Sequence, residues 1–196
     1  KAGMPDKNVR IRAIQVIEGQ AVTKHVEAEL PCDSNGEIHA SCEQDLAKVA
    51  VIERHKATGT MAVGFVQGFG LESGAVGSTV AHDSHNLLVI GMDTEDMVVA
   101  ANALADVGGG MVVVKDGRVL AILPLPIAGL MSDEPVEKVQ SGIEELAQAW
   151  QALGCRLASP FMTMALLSLP VIPELRITNR GLVDVTEFRF VPLVTG

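Results

Sequence analysis

A chain of 196 residues can bury one sizeable core, and with 3% aromatics and no tyrosine that core must be built from Ala, Val, Leu, Ile and Met. Its 15 basic against 24 acidic residues give a net charge of −9, with no Lys/Arg cluster interleaved with aromatics, which argues against nucleic-acid backbones and anionic membrane surfaces as partners. Cys32, Cys42 and Cys155 are odd in number and lack metal-ligand spacing, so a reducing, cytoplasmic setting is expected, and no apolar run approaches the ~18–20 residues of a membrane span.

Val9 to Ile17 and Gln20 to Leu30 read as two strands joined at Glu18-Gly19. Cys32 to Glu43 is polar and turn-rich, a surface loop. Leu46 to Glu53 and Thr60 to Val66 read as strands, followed by glycines 68, 70 and 74, then strand-like Ser78 to Ala81 and Leu87 to Gly91. Asp93 or Thr94 caps a helix whose Met97, Val98, Ala101, Leu104 and Ala105 share one face, and Gly108-Gly109-Gly110 stops it. Lys115-Asp116-Gly117 between Met111–Val114 and Arg118–Leu123 signals a hairpin, because Asp-Gly accepts the positive φ values of a tight turn. Ser132 or Asp133 caps a second helix with Pro135 in its first turn. Its Val136, Val139, Ile143, Leu146, Trp150 and Leu153 step by three and four residues, the pattern of a helix laid on a sheet, and Gly154 ends it. The order predicts an α/β (α+β mixed) fold, a mixed β-sheet layered with helices in a single compact domain over residues 1–196.

The chemistry-bearing patterns are few. His25-Val26-Glu27 with Pro31-Cys32 imitates part of the zinc deaminase signature, but Asn35 stands where the second cysteine is needed, so no zinc site is read there. Glycines 68, 70 and 74 are one residue too widely spaced for a dinucleotide fingerprint and no helix follows, which leaves a tight turn or a close backbone approach. Two polar clusters remain. Glu53, Arg54, His55 and Lys56 close one strand. His82, Asp83, Ser84, His85 and Asn86 lie between the apolar runs Val76–Ala81 and Leu87–Ile90. Three readings of the second cluster stay open: polar groups facing an active site or ligand, a hydrogen-bonded structural corner, or a metal site with His82 and His85 as ligands. The last requires a turn, since residues three apart on extended backbone point partly to opposite sides.

Three long segments carry a resemblance. Gly68 to Asn86, Gly109 to Ser132 with its Leu123-Pro124-Leu125-Pro126-Ile127-Ala128-Gly129-Leu130-Met131 run, and Pro160 to Val185 with Leu169-Pro170-Val171-Ile172-Pro173-Glu174-Leu175, preceded by Glu53-Arg54-His55, resemble the C-terminal domain of bacterial adenine deaminases, in the amidohydrolase superfamily. The likeness covers nearly the whole chain. Asn179 before Arg180-Gly181 departs from the Asp more usual in the family.

The resemblance implies hydrolytic deamination of adenine to hypoxanthine and ammonia by a binuclear Mn or Fe centre. Its metal ligands and catalytic acid and base would belong to a (β/α) barrel domain absent from this sequence. No catalytic residue is carried over. Glu53, Arg54, His55, His82, Asp83, Ser84, His85 and Asn86 would instead cover the metal and purine pocket of that barrel, and the isolated segment would be inactive. Adenine, the barrel domain of the same enzyme and further copies of the chain are the partners so implied. The other class of function is a stand-alone purine-binding or subunit-assembly module without catalysis.

Overall fold

In the computed structural model, which describes residues 7–195, alternation of small apolar and polar side chains builds the first hairpin. Strands β1 (Lys7–Val16) and β2 (Thr23–Cys32) pair antiparallel over their full length, from Lys7↔Cys32 to Val16↔Thr23. There follow β3 (Leu46–Ile52), β4 (Met61–Gln67), β5 (Ala75–Ser78), β6 (Leu87–Gly91), α1 (Thr94–Asp106), β7 (Gly110–Lys115), β8 (Arg118–Pro124), α2 (Val136–Ala152) and α3 (Pro160–Ala165), which runs into a 3-10 turn at Leu166–Ser168. The chain closes with β9 (Leu175–Thr178), β10 (Gly181–Asp184) and β11 (Arg189–Val191). Eight strands form one mixed sheet in the order β2-β1-β4-β3-β6-β5-β7-β8, and the last three form a small sheet β11-β10-β9. Among the described residues only β1 and β4 run parallel, over Ile14↔Val66 and Gln15↔Gln67, where Gln15 Nε2 donates to Gln67 Oε1 at 2.9 Å. The result is the expected mixed α/β domain without a (β/α) barrel, and no helix among the described residues is long and apolar enough to cross a membrane.

The period-two alternation of the central strands sorts their side chains into two layers. Ala47, Val49 and Val51 of β3 join a core with α2 and the small sheet, while Ala50 joins one under α1. Gly64 is glycine because the small sheet sits directly on it: a Cβ there would lie 3.2 Å from Ile177 Cδ1 and 3.3 Å from Leu182 Cδ2. Trp150, 1% exposed, fills the first layer, stacked on Phe69 and edge-on to Phe161 with centroids 6.0 and 5.4 Å apart.

Several details differ from the sequence expectation. The fifth strand is Ala75–Ser78 rather than Ser78–Ala81; beyond it the Thr79 amide still donates to Gly110 O at 3.0 Å, and its buried hydroxyl bonds Gly110 and Gly129. Asp93 does cap α1, but the buried face is Asp96, Met97, Ala100 and Leu104, leaving Val98 exposed. Asp96 is buried because its carboxylate accepts the Asp116 and Gly117 amides at 3.0 and 2.6 Å, fastening the β7–β8 turn to the helix. Helix α2 begins one residue after Pro135, which lies outside the first turn and lends its carbonyl to the Lys138 and Val139 amides; the Ser132 hydroxyl serves the Glu134 amide instead of the helix. The apolar stripe is fully buried only in its second half, with Val139 in the first half partly buried against the core. Leu146, Ala149 and Trp150 are buried, whereas Val136 is 73% and Ile143 43% exposed. Of the three glycines after α1, only Gly108 is a plain terminator; a Cβ at Gly109 would lie 2.6 Å from Gly129 Cα, and one at Gly110 2.1 Å from Leu123 O.

Candidate functional site

The two polar clusters, some 30 residues apart in the chain, meet at one end of the large sheet. Antiparallel pairing of Ile52 with Leu87 brings the end of β3 beside the start of β6, so residues 53–56 and 82–86 leave the sheet side by side. Glu53 shapes the first segment: its carboxylate accepts the amides of His55, Lys56 and Thr58 at 2.6, 2.8 and 3.1 Å and the Thr58 hydroxyl at 3.0 Å. Led by the bond from the Thr58 amide, these bonds hold its pKa down at about 2. His55 Nε2 lies 2.6 Å from the Ser84 carbonyl. A carbonyl only accepts, so this nitrogen carries the proton. Arg54 Nε donates to the His85 carbonyl at 2.7 Å, and Nη2 to the Ala128 carbonyl at 2.6 Å.

The His82–Asn86 segment is a turn, as shared use of its two histidines requires. The His85 amide donates to Ala81 O at 2.7 Å, and the Ala81 amide to His85 Nδ1 at 3.3 Å. Nδ1 is thus unprotonated, in keeping with a pKa lowered first by burial and then by His82 and Arg54. The two imidazoles lie edge to face, 5.5 Å between centroids. The His82 amide donates to Ala165 O, tying the turn to α3. Asp83 and Ser84 project into solvent, His82 and His85 are half-buried, and Asn86 is buried with no donor on its Oδ1. The turn's structural bonds use its backbone groups and the Arg54, His55 and His85 side chains, and among the described residues the His82, Asp83 and Ser84 side chains make no hydrogen bond.

A third segment, absent from the candidate residues read in the sequence, completes the corner. The loop after β8 folds on itself through Ile127 N to Met131 O and Met131 N to Ile127 O, both at 3.1 Å, and puts Ala128 and Gly129 against Arg54. The sequence signal available there was Gly129 alone, since glycine suits left-handed backbone and alanine does not, yet the structure gives φ of +58° at Ala128 as well as +72° at Gly129. Ile127 and Met131 are exposed beside the polar turn.

Among the described residues no group of three or more His, Cys, Asp and Glu side chains is placed to hold a metal ion, so these residues do not fit a binuclear centre. His25 and Glu27 lie on the uninterrupted strand β2, where His25 Nδ1 approaches Asp184 Oδ2 at 3.8 Å. A cavity of about 670 Å³ shares no lining residue with the corner. It is an apolar groove under α1 lined by Ala50, Met61, Val63, Phe65 and Met97, and Lys48 at its edge is already engaged by Glu37 and Thr94. With its cation paired and few other polar groups, the groove offers less to a reacting molecule than the corner does.

A family model described as adenine deaminase C-terminal domain matches residues 20–189. The adenine deaminase of Moorella thermoacetica is 60% identical over 188 residues, 96% of this chain and 31% of that protein. Those of Clostridium botulinum and Brucella abortus are 50% and 52% identical, over 96% and 93% of this chain and 32% and 31% of their own lengths. The chain therefore spans about a third of the curated relatives it matches, and it belongs to the adenine deaminase C-terminal domain family.

Proposed function

We propose that this chain, residues 1–196 as one domain, serves a cytoplasmic adenine deaminase of purine metabolism, converting adenine and water to hypoxanthine and ammonia. In this reading its corner of residues 53–56, 82–86 and 126–131 closes over the active site of the enzyme's catalytic barrel. The observation that carries the reading is the division of labour in the corner: the Arg54, His55 and His85 side chains bind backbone groups and hold it together, while the side chains of His82, Asp83 and Ser84 make no hydrogen bond among the described residues and are left to face a partner. Exposed Ile127 and Met131 beside them provide apolar surface to seal the edge. Excluding water strengthens every electrostatic interaction within a site and protects the proton transfers that carry away ammonia.

The chain's own part is to orient and enclose. Manganese or iron, bound by the barrel in this reading, would supply a nucleophile at neutral pH. No residue of this chain is given a metal ligand's role, and the His82–His85 pair lacks a third ligand among the described residues. Further copies of the chain are expected in the assembled enzyme.

The test is ammonia release from adenine by the full-length enzyme carrying His82→Ala or His85→Ala. A fall in kcat/KM of roughly tenfold or more, with metal content unchanged, is the expected result. Wild-type rates in both variants overturn the covering role.

A further inference from the structure

We propose that Arg54 is the positioning residue of this corner, a single guanidinium that clasps the turn at 82–86 to the loop at 126–131 so that the two loops hold and release together. The proposed catalytic consequence rests on the covering role; the clasp itself rests on geometry alone.

Both carbonyls that Arg54 binds belong to non-glycine residues in left-handed backbone, His85 at φ +49° and Ala128 at φ +58°. Such positions are costly for L-residues with a Cβ and persist where the surroundings over-determine them. The guanidinium supplies that determination at both places through adjacent donors, Nε and Nη2, on one edge of a rigid plane. A lysine ammonium has no such fork. Arg54 is partly buried, its pKa is lowered by burial, and no carboxylate pairs with it among the described residues. It is therefore a directional donor to backbone rather than half of an ion pair.

The far side of the clasp is built to receive it. Gly129 lies against the guanidinium, where an added Cβ would stand 2.7 Å from Nη2 and 2.9 Å from Cζ. From behind, the buried Thr79 hydroxyl holds the Gly129 carbonyl at 2.6 Å and also accepts the Gly110 amide at 2.8 Å. Loop 126–131 is thus anchored to the sheet by Thr79 and to the polar turn by Arg54. His55, next in sequence, binds the Ser84 carbonyl and gives the turn a second hold.

The experiment is amide hydrogen exchange of the full-length enzyme, with adenine kinetics in parallel, on Arg54→Lys, Arg54→Ala and Gly129→Ala. Arg54→Lys retains the charge and removes the fork, so exchange in 82–86 and 126–131 should rise together by roughly tenfold or more while α1 and β3 keep wild-type protection. Gly129→Ala should reproduce this, and combining it with Arg54→Ala should add little, since both break one clasp. Ethylguanidinium should restore protection to Arg54→Ala and not to Gly129→Ala. Should Arg54→Ala fail to fold, Arg54→Lys and Gly129→Ala decide the matter. Unchanged exchange, or loosening of one loop without the other, overturns the clasp. Joint loosening with a roughly tenfold fall in kcat supports both the clasp and the covering role. Joint loosening at wild-type turnover supports the clasp and overturns the covering role.

Discussion

The Ala81 amide donates to Nδ1 of His85, four residues on, closing the polar turn on a ring nitrogen that must be unprotonated to accept. The turn is therefore coupled to the protonation of one imidazole. Burial foremost, then the His82, Arg54 and His55 charges, depress the His85 pKa, and Asp83 opposes them. The unfolded chain then binds the proton more readily than the folded turn, so the contribution of this corner is intact above the ordinary histidine value and is lost as pH falls through the depressed one.

Acidification from neutral pH should thus lower the protection of the Ala81 and His85 amides, measured against their intrinsic exchange at each pH, before the core responds. His85→Gln should remove the pH dependence of that protection. Protection that stays constant in the unmodified chain across this range would show that the bond to Nδ1 does not hold the turn.

Glu53 responds in the same direction at lower pH. Its carboxylate is held at about 2 by bonds from the 55–58 turn, against an ordinary value of 4.5. The stabilisation is present above the ordinary value and is lost as pH falls toward about 2. Carboxyl carbon shifts should therefore place the Glu53 midpoint below those of exposed glutamates, and Glu53→Gln should abolish the protection of the Thr58 amide. A midpoint near 4.5 counts against this arrangement.

Arg176 is 1% exposed and among the described residues has only carbonyls for partners: Ile172, Leu166, Ala21 and Pro173. Burial lowers its pKa to about 10. It joins the β1–β2 connection, the 3-10 turn and the segment before β9. Arg176→Met leaves those acceptors unpaired and should cost about 3 kcal/mol or more in chemical denaturation. Arg176→Lys should recover only part of that loss, because one ammonium cannot span acceptors on three segments. A loss under about 1 kcal/mol for Arg176→Met would refute the linking role.

The two halves of α2 should respond differently to substitution. Trp150→Ala empties the aromatic stack and should destabilise the domain by about 3–5 kcal/mol. Val136→Ser and Ile143→Ser, on the exposed half, should shift stability by about 0.5 kcal/mol or less. Equal losses in both halves would mean that the whole stripe is covered within this chain.

Much of the fold was legible in the residues. Asp116-Gly117 turns between two apolar runs as its backbone freedom dictates, with φ of +52° and +72°. Asp93 caps α1 through the Asp96 amide at 2.7 Å. The stripe on α2 was read at the right period but over too great a length, because periodicity reports which face is apolar and not what lies opposite. Thr79 illustrates the other limit. Its β-branched side chain suits a strand, yet its hydroxyl serves Gly110 and Gly129, long-range partners that no local pattern announces.

At the candidate site, local chemistry in the sequence marked out the two polar clusters, since five hydrogen-bonding residues between buried strands need an explanation, as does a strand closed by Glu53-Arg54-His55. It could not show that they touch. That contact depends on the register Ile52↔Leu87, which is set by two strands separated by the whole β4–β5 excursion. The roles of Ala128 and Gly129 likewise depend on β8 delivering its following loop to the same end of the sheet. Composition, turn chemistry and periodicity act within a few residues of each other and were determined by the sequence itself. The meeting of residues 54, 85 and 128 was decided by tertiary structure, because it is fixed by strand order and packing across the entire domain.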